Sequence, residues 1–351
     1  MTLFEFESGL FKRFLLIFAM FAAMPVYAAV DPQPTDGIRQ IMVKSSDEID
    51  VIMSQVNIIE GNMPTPLDPS QNIVTTIDQP GSYVLTGSKV GGTIEIITSN
   101  VCLDLNGWTV EGTADGTPII SIDDSFVTVK NGLVRHGGAT TAAADGAIEI
   151  VGNPRGVELR DLSIVITNTL TAINFSTAAS ECLVTDCVIT GSPLFTMGTA
   201  GVRINVDPLV TGSGIIVENC QIEGFTYGVY LEQGNSLIVK DCFITESTTG
   251  ISISSSCSGA VVSNNIILRP ETFGIYDSGD LAASNSVFNN IIVGCRGFES
   301  TFAGDADTAT YGNLAINYLG SSSHYNVNVP LQVSDLTTGT SIGEYANIAL
   351  S

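Results

Sequence analysis

Arg203 is the most reactive-looking side chain on a phrase that recurs along this chain: a small residue, an apolar one, any residue, and another apolar one. The phrase reads Ala172-Ile173-Asn174-Phe175, Gly201-Val202-Arg203-Ile204, Gly228-Val229-Tyr230-Leu231 and Gly250-Ile251-Ser252-Ile253, with degraded copies from Gly274 and Gly297. Side chains alternate across an extended strand, so the residue between the two apolar ones is expected to face solvent. Stacked, that slot holds Glu149, Asn174, Arg203, Tyr230, Ser252, Tyr276 and Glu299. Two positions on it holds Val151, Ser176, Asn205, Glu232, Ser254, Ser278 and Thr301. Aromatic faces stack on sugar rings, while carboxylates and amides bond hydroxyls. The candidate ligand-binding residues are therefore Glu149, Asn174, Arg203, Asn205, Tyr230, Glu232 and Tyr276, with a polysaccharide or cell-surface glycan as the partner. The plainer alternative is an ordinary exposed sheet in which Arg203 lies over Tyr230 as a cation–π pair.

The elements that would position these residues are short and repeated. A second phrase runs in step with the first: a strand, then Asn or Asp, then a small or apolar residue, then another strand. Its corner residues are Asn131, Asp161, Asp186, Asn219, Asp241, Asn264, Asn289 and, more weakly, Asn313; Asn106 marks one earlier rung in a slightly different register. A period of about two dozen residues with strand-like alternation means a coil too small to bury its own apolar face, so coils must stack. Asn and Asp suit a tight bend because they tolerate the left-handed conformation. Blades of a propeller need a longer period, and leucine-rich repeats need dense Leu.

These phrases, with Gly81-Ser82-Tyr83-Val84-Leu85 and Asn100-Val101-Cys102-Leu103-Asp104-Leu105-Asn106-Gly107 at their start, resemble the right-handed parallel β-helix repeat proteins of the pectate-lyase-like superfamily. The resemblance implies an all-β fold, a right-handed solenoid of about nine or ten coils over 81–319. At about 4.8 Å per rung that is a rod roughly 45 Å long. Members that cleave acidic polysaccharides use a basic residue as base and acidic calcium ligands. By that resemblance Arg203 is the catalytic candidate, with Glu232 or Glu149 as part of a cation site. The polygalacturonase set is not matched: Asp123-Asp124 and Arg203-Ile204-Asn205 are present, but the Asn-Thr-Asp and Gly-His-Gly elements are missing, and His136-Gly137-Gly138 is no substitute.

The ends and loops add detail. Ser45 with Glu48 has capping-box spacing, and Ile49, Ile52, Met53 and Val56 share one helical face, which predicts a short capping helix near 46–60 within an N-terminal segment 29–80. Residues 320–351 lose the period and are expected to cap the other end. Before these, Lys12 and Arg13 precede an apolar run that closes on Pro25-Val26-Tyr27-Ala28, the pattern of a secretory signal over 1–28. No later stretch is long and apolar enough for a membrane helix, so the mature chain is expected in the periplasm, on the cell surface or in the medium. Loops 191–200 and 205–214 are enlarged on both sides of the Arg203 strand, where function is commonly placed.

Composition narrows the partners. The 351 residues hold 13 Lys and Arg against 36 Asp and Glu, a net charge of -23, which excludes nucleic acid as a partner. An apolar share of 44% excludes a disordered chain. Seven cysteines are an odd number for an exported chain, and neither His136 nor His324 lies near a Cys pair with zinc spacing. Cys187, Cys220 and Cys242 share one slot and read as a column of buried, reduced thiols. No cofactor is indicated; calcium would find carboxylates at Asp305 and Asp307 or at Asp277 and Asp280, which otherwise read as solvated turns. Leu133, Val188, Phe243, Ile266 and Ile291 fall in an outward slot as an apolar stripe that the chain's own tail or a partner would cover. Three functional readings follow: an exported, non-catalytic glycan-binding or scaffold module, a polysaccharide lyase or related carbohydrate-active enzyme centred on Arg203, and an inert spacer.

Overall fold

The computed structural model divides into two compact units, Met1–Asn62 and Met63–Ser351. The described residues all lie in the second: 64–68, 74–112, 117–137, 146–167, 171–192, 199–207, 214–278, 284–294, 302–303, 309–316 and 348–350. They form no helix, only strands. The expected capping helix near 46–60 and the expected signal segment 1–28 lie outside the described residues. Among the described residues no helix is long and apolar enough to cross a membrane.

The strands stack as a parallel solenoid. One face is a ten-stranded sheet whose order follows the chain, from Val74–Ile77 through Gly146–Ile150, Thr171–Thr177, Ala200–Val206, Tyr227–Asn235, Thr249–Ser258 and Phe273–Asp277 to Phe302–Ala303. The other faces form a twenty-stranded sheet. It runs as two stacks, joined where Val127–His136 and Glu158–Ile166 pass through a corner without a break. Pairing already includes Thr65–Leu67, which lies parallel to Gly81–Leu85. At the other end Ile348–Leu350 pairs parallel with Leu314–Ile316; the rest of the expected C-terminal cap, 320–347, lies outside the described residues. The solenoid makes about seven turns, against the nine or ten expected, and the strands of its outer rungs are short: Lys89–Val90 and Phe302–Ala303 are two residues each.

Stacking turns the sequence phrases into vertical ladders. Ile148, Ile173, Val202, Val229, Ile251 and Ile275 pair successively, as do Ile150, Phe175, Ile204, Leu231 and Ile253. All are buried, and each such side chain contributes about 1.5–3 kcal/mol relative to exposure. The small residue that opens the phrase has a packing reason. A Cβ on Gly228 would stand 2.5 Å from the Gly250 carbonyl oxygen and 2.5 Å from Ile244 Cγ2, and one on Gly250 would meet the Gly274 carbonyl oxygen at 2.5 Å.

The corner column is left-handed as expected, with φ of 58° at Asn131, 54° at Asp161, Asp186 and Asn219, 55° at Asp241, and 57° at Asn264 and Asn289. The last member is corrected: Gly312 takes the bend, at 66°, and Asn313 moves into the next, inward slot. That inward slot holds buried Cys187, Cys220 and Cys242 and then buried Asn265, Asn290 and Asn313. The cysteines are unpaired by disulfides. Their sulfurs lie 3.7, 3.8 and 3.7 Å from the carbonyls of Leu159, Val184 and Val217 in the coil before, and nearer, at 3.2, 3.2 and 3.3 Å, to those of Thr185, Glu218 and Lys240 two residues back. The asparagine Nδ2 groups reach the equivalent carbonyls of Val239, Val262 and Val287 at 3.0, 3.0 and 2.9 Å. They also bond one another, Asn265 to Asn290 Oδ1 at 3.0 Å and Asn290 to Asn313 Oδ1 at 2.9 Å. Thiol and amide thus answer one requirement, a carbonyl that faces the interior at this corner. Cys187 and Cys242 are held protonated, first by the hydrogen bond with the Cys220 sulfur and then by burial.

The apolar stripe is less continuous than expected. Register places Ser163 between Leu133 and Val188, and Gln221 between Val188 and Phe243. Leu133 is half-buried, while Val188, Phe243, Ile266 and Ile291 are exposed; the unbroken part is Phe243–Ile266–Ile291. The asparagine ladder gives a direct test. Asn290→Ala leaves the Asn265 amide N–H and the Val262 carbonyl without these partners, and should cost about 3 kcal/mol in denaturant unfolding. Asn290→Cys should cost less, because a thiol in this slot still reaches the carbonyl.

Candidate functional site

The outward face of the ten-stranded sheet carries one unbroken row. Thr76, Glu95, Ser121, Glu149, Asn174, Arg203, Tyr230, Ser252, Tyr276 and Ala303 are successive register partners. The expected residues Glu149, Asn174, Arg203, Tyr230 and Tyr276 are therefore vertical neighbours. Ala303, and not Glu299, follows Tyr276, because the chain between these rungs is longer than the phrase suggested; Glu299 lies outside the described residues.

Two members of the row do not face water. Asn174 is 1% exposed, and its Oδ1 accepts no hydrogen bond among the described residues. The backbone at Gly146 closes over it, where a Cβ would lie 2.8 Å from the Asn174 Cβ. Ser252 is also buried, in the rung between Tyr230 and Tyr276. Strand alternation gives the side of the sheet, and neighbouring rungs then decide whether that side is open.

The second row breaks at a bulge. Ser176 pairs with Asn205, but Asn205 pairs with Gln233 and Gln233 with Ser256. Glu232 is the extra residue on its strand, and the next strand has two extras, Ser254 and Ser255. An unpaired bulge residue is re-aimed, and here Glu232 turns to Arg203. Arg203 Nε donates to Glu232 Oε2 at 2.6 Å, with both side chains mostly covered. The guanidinium is thus an ion-pair partner, and the ring that Tyr230 stacks on is Tyr227.

Tyr227 and Tyr230 have centroids 4.7 Å apart and planes 20° apart. Two rungs on, Phe273 and Tyr276 repeat the arrangement at 4.9 Å and 33°. Tyr227 and Phe273 were missed in the sequence, although they sit three residues before the two tyrosines that the phrase picked out; the signal was an aromatic repeated at the same offset. Burial first, then Glu232 and Tyr227, hold the Tyr230 hydroxyl above the usual tyrosine range, against a smaller opposing pull from Arg203.

Asp277 occupies the inward slot above Ile253, is buried, and accepts from Asn285 Nδ2 at 3.3 and 3.1 Å. It is an internal anchor for the next corner, not a loop ligand. Asp280, Asp305 and Asp307, and most of the two loops flanking the Arg203 strand, lie outside the described residues. Among the described residues no group of three or more His, Cys, Asp or Glu is arranged to hold a metal ion. His136, dismissed as a catalytic motif, is buried at its strand end.

The pH dependence of Tyr230 is a check on this geometry. Its folded pKa is raised, so its contribution to stability is present below the ordinary tyrosine range and lost as pH rises through the higher folded value. Ultraviolet titration should show one tyrosinate forming later than the bulk. Tyr230→Phe should remove that component, and Glu232→Gln should move it downward.

Comparison with known proteins places the fold. A family described as right handed beta helix region matches residues 155–328. None of the curated proteins compared matches the chain. Among solved structures, XylC in complex with xylose is similar at a TM-score of 0.50 and 13% identity, over 66% of this chain and 44% of that one. A mutant tailspike protein of E. coli bacteriophage HK620 in complex with a pentasaccharide gives 0.48 and 14%, over 76% and 52%. The chain spans about half the length of these structures, and at such identities the likeness is one of fold alone. With every described strand parallel, one left-handed Asn/Asp corner per regular turn and the family match across its later coils, the chain is a right-handed parallel β-helix repeat protein, fitting the pectate-lyase-like superfamily.

Proposed function

We propose that this chain is an exported β-helix module that binds glycans on the outward face of its ten-stranded sheet, around Arg203 and Tyr230, without a catalytic step of its own. The observation that carries the reading is the stacked Tyr227–Tyr230 pair standing beside the Arg203–Glu232 ion pair on a rigid sheet. Half-buried aromatic rings flanked by fixed polar groups suit a ligand that has both apolar ring faces and hydroxyls. A base drawn from Arg203 would have to give up its proton, and a carboxylate at 2.6 Å favours the protonated form; this supports binding over lyase chemistry. XylC is in complex with xylose; for this chain the reading rests on its own residues. Export rests on the pattern over 1–28.

An oligosaccharide array tests the binding reading. Wild type should retain at least one glycan class, Tyr230→Ala should weaken it tenfold or more, and the melting temperature should change little. A wild type that retains none overturns the proposal. Unsaturated product from polyuronides with calcium, lost in Arg203→Ala, would favour a lyase instead. For export, the mature protein recovered from the envelope or medium should begin after Ala28; a cytoplasmic protein that keeps Met1 would refute it.

A further inference from the structure

Resting on the glycan reading above, we infer that the ligand is a neutral, extended chain of β-1,4-linked pyranoses running along the solenoid axis, with sugars i and i+2 seated on Tyr230 and Tyr276. The two aromatic pairs occupy identical positions in their rungs. Tyr230 pairs with Ser252 and Ser252 with Tyr276, while Tyr227 pairs with Thr249 and Thr249 with Phe273. The intervening rung presents two small hydroxyl residues, both buried. The face is therefore aromatic ridge, hydroxyl-floored trough, aromatic ridge.

Rung spacing fixes the separation. Two steps of a parallel sheet span about 10 Å, close to the length of two pyranose rings in an extended 1,4-linked chain. A sugar over each ridge leaves one sugar above the trough. In each pair the partner ring comes from the residue three positions earlier in the same strand. Beyond Tyr230 the bulged margin supplies Asn205, Glu232, Gln233 and Ser256, hydrogen-bonding groups suited to ring hydroxyls.

Charge selects against acidic sugars. The row's charged members among the described residues are Glu95, Glu149 and Arg203, and the guanidinium is held by Glu232. With a net charge of -23 on the whole chain, a polyuronate would meet repulsion along the row. A neutral chain meets only ring faces and hydroxyl partners.

The test is affinity against length, measured by calorimetry with xylo-, cello- and manno-oligosaccharides of two to six sugars and with oligogalacturonides. The expected result is a step of about tenfold between disaccharide and trisaccharide for one neutral series, because the third sugar engages a second platform at high effective concentration. Tyr276→Val keeps a good strand former and should abolish the step; Tyr276→Phe should preserve it. Affinity that does not change from two sugars to six, or a step that survives Tyr276→Val in a folded protein, overturns the register while leaving glycan binding intact. Preferential binding of oligogalacturonides overturns the neutral class. Failure of every oligosaccharide here and on the array overturns the glycan reading together with this one.

Discussion

Parallel, in-register hydrogen bonding between successive turns is the constraint on which everything else in this molecule depends. Each rung is too short to bury its own apolar face, and its strand backbone finds its partners in the turns before and after it. Once that pairing is set, like residues must stack on like. The Ile, Val and Leu ladders fill the interior, and any inward position that cannot be apolar must be answered within its own column. The Cys187–Cys220–Cys242 column passes into Asn265–Asn290–Asn313 without a break in function: at each level a side chain satisfies a carbonyl from the preceding turn.

The same constraint gives the surface its metric. A row of side chains on the ten-stranded sheet has the repeat of the sheet, and a ligand lying on it is measured against that repeat. The departures from regularity are therefore informative. The bulge at Glu232 widens one margin of the sheet and swings a carboxylate onto Arg203. The paired rings at Tyr227 with Tyr230 and at Phe273 with Tyr276 stand on rungs that frame a lower one. Polar bulge, ion pair and aromatic ridges converge on one region of an otherwise repetitive face.

How much of this could be read in advance follows from the range of each signal. The Asn/Asp corner was legible because a left-handed bend selects those residue types locally. Other corners were not: Phe126, Glu181, Ser236, Glu246, Arg269 and Ser284 are also left-handed, yet no residue preference announces them. Pairing with adjoining turns holds the chain there, as when Ser236 N–H bonds the Ser258 carbonyl and Arg269 N–H bonds the Val293 carbonyl. Side-chain pairs, Arg155 with Glu181 and Arg269 with Glu246, sit on the same bends. The Asn ladder was half visible, since Asn264-Asn265 and Asn289-Asn290 were noted for their first residue while the second does the inward bonding.

Residue order was enough to read the parallel stack, the column of bends, the reduced thiols and the row that carries Arg203, Tyr230 and Tyr276. Those follow from periodicity and alternation, which are properties of a single strand and its repeat. Tertiary structure alone decided that Asn174 and Ser252 are covered, that Glu232 leaves its column to pair with Arg203, that Asp277 is an interior anchor, and that Tyr227 and Phe273 complete the rings. Burial, bulges and ring stacking depend on what the adjoining turns bring within reach, and neighbours two dozen residues away leave no mark on a local pattern.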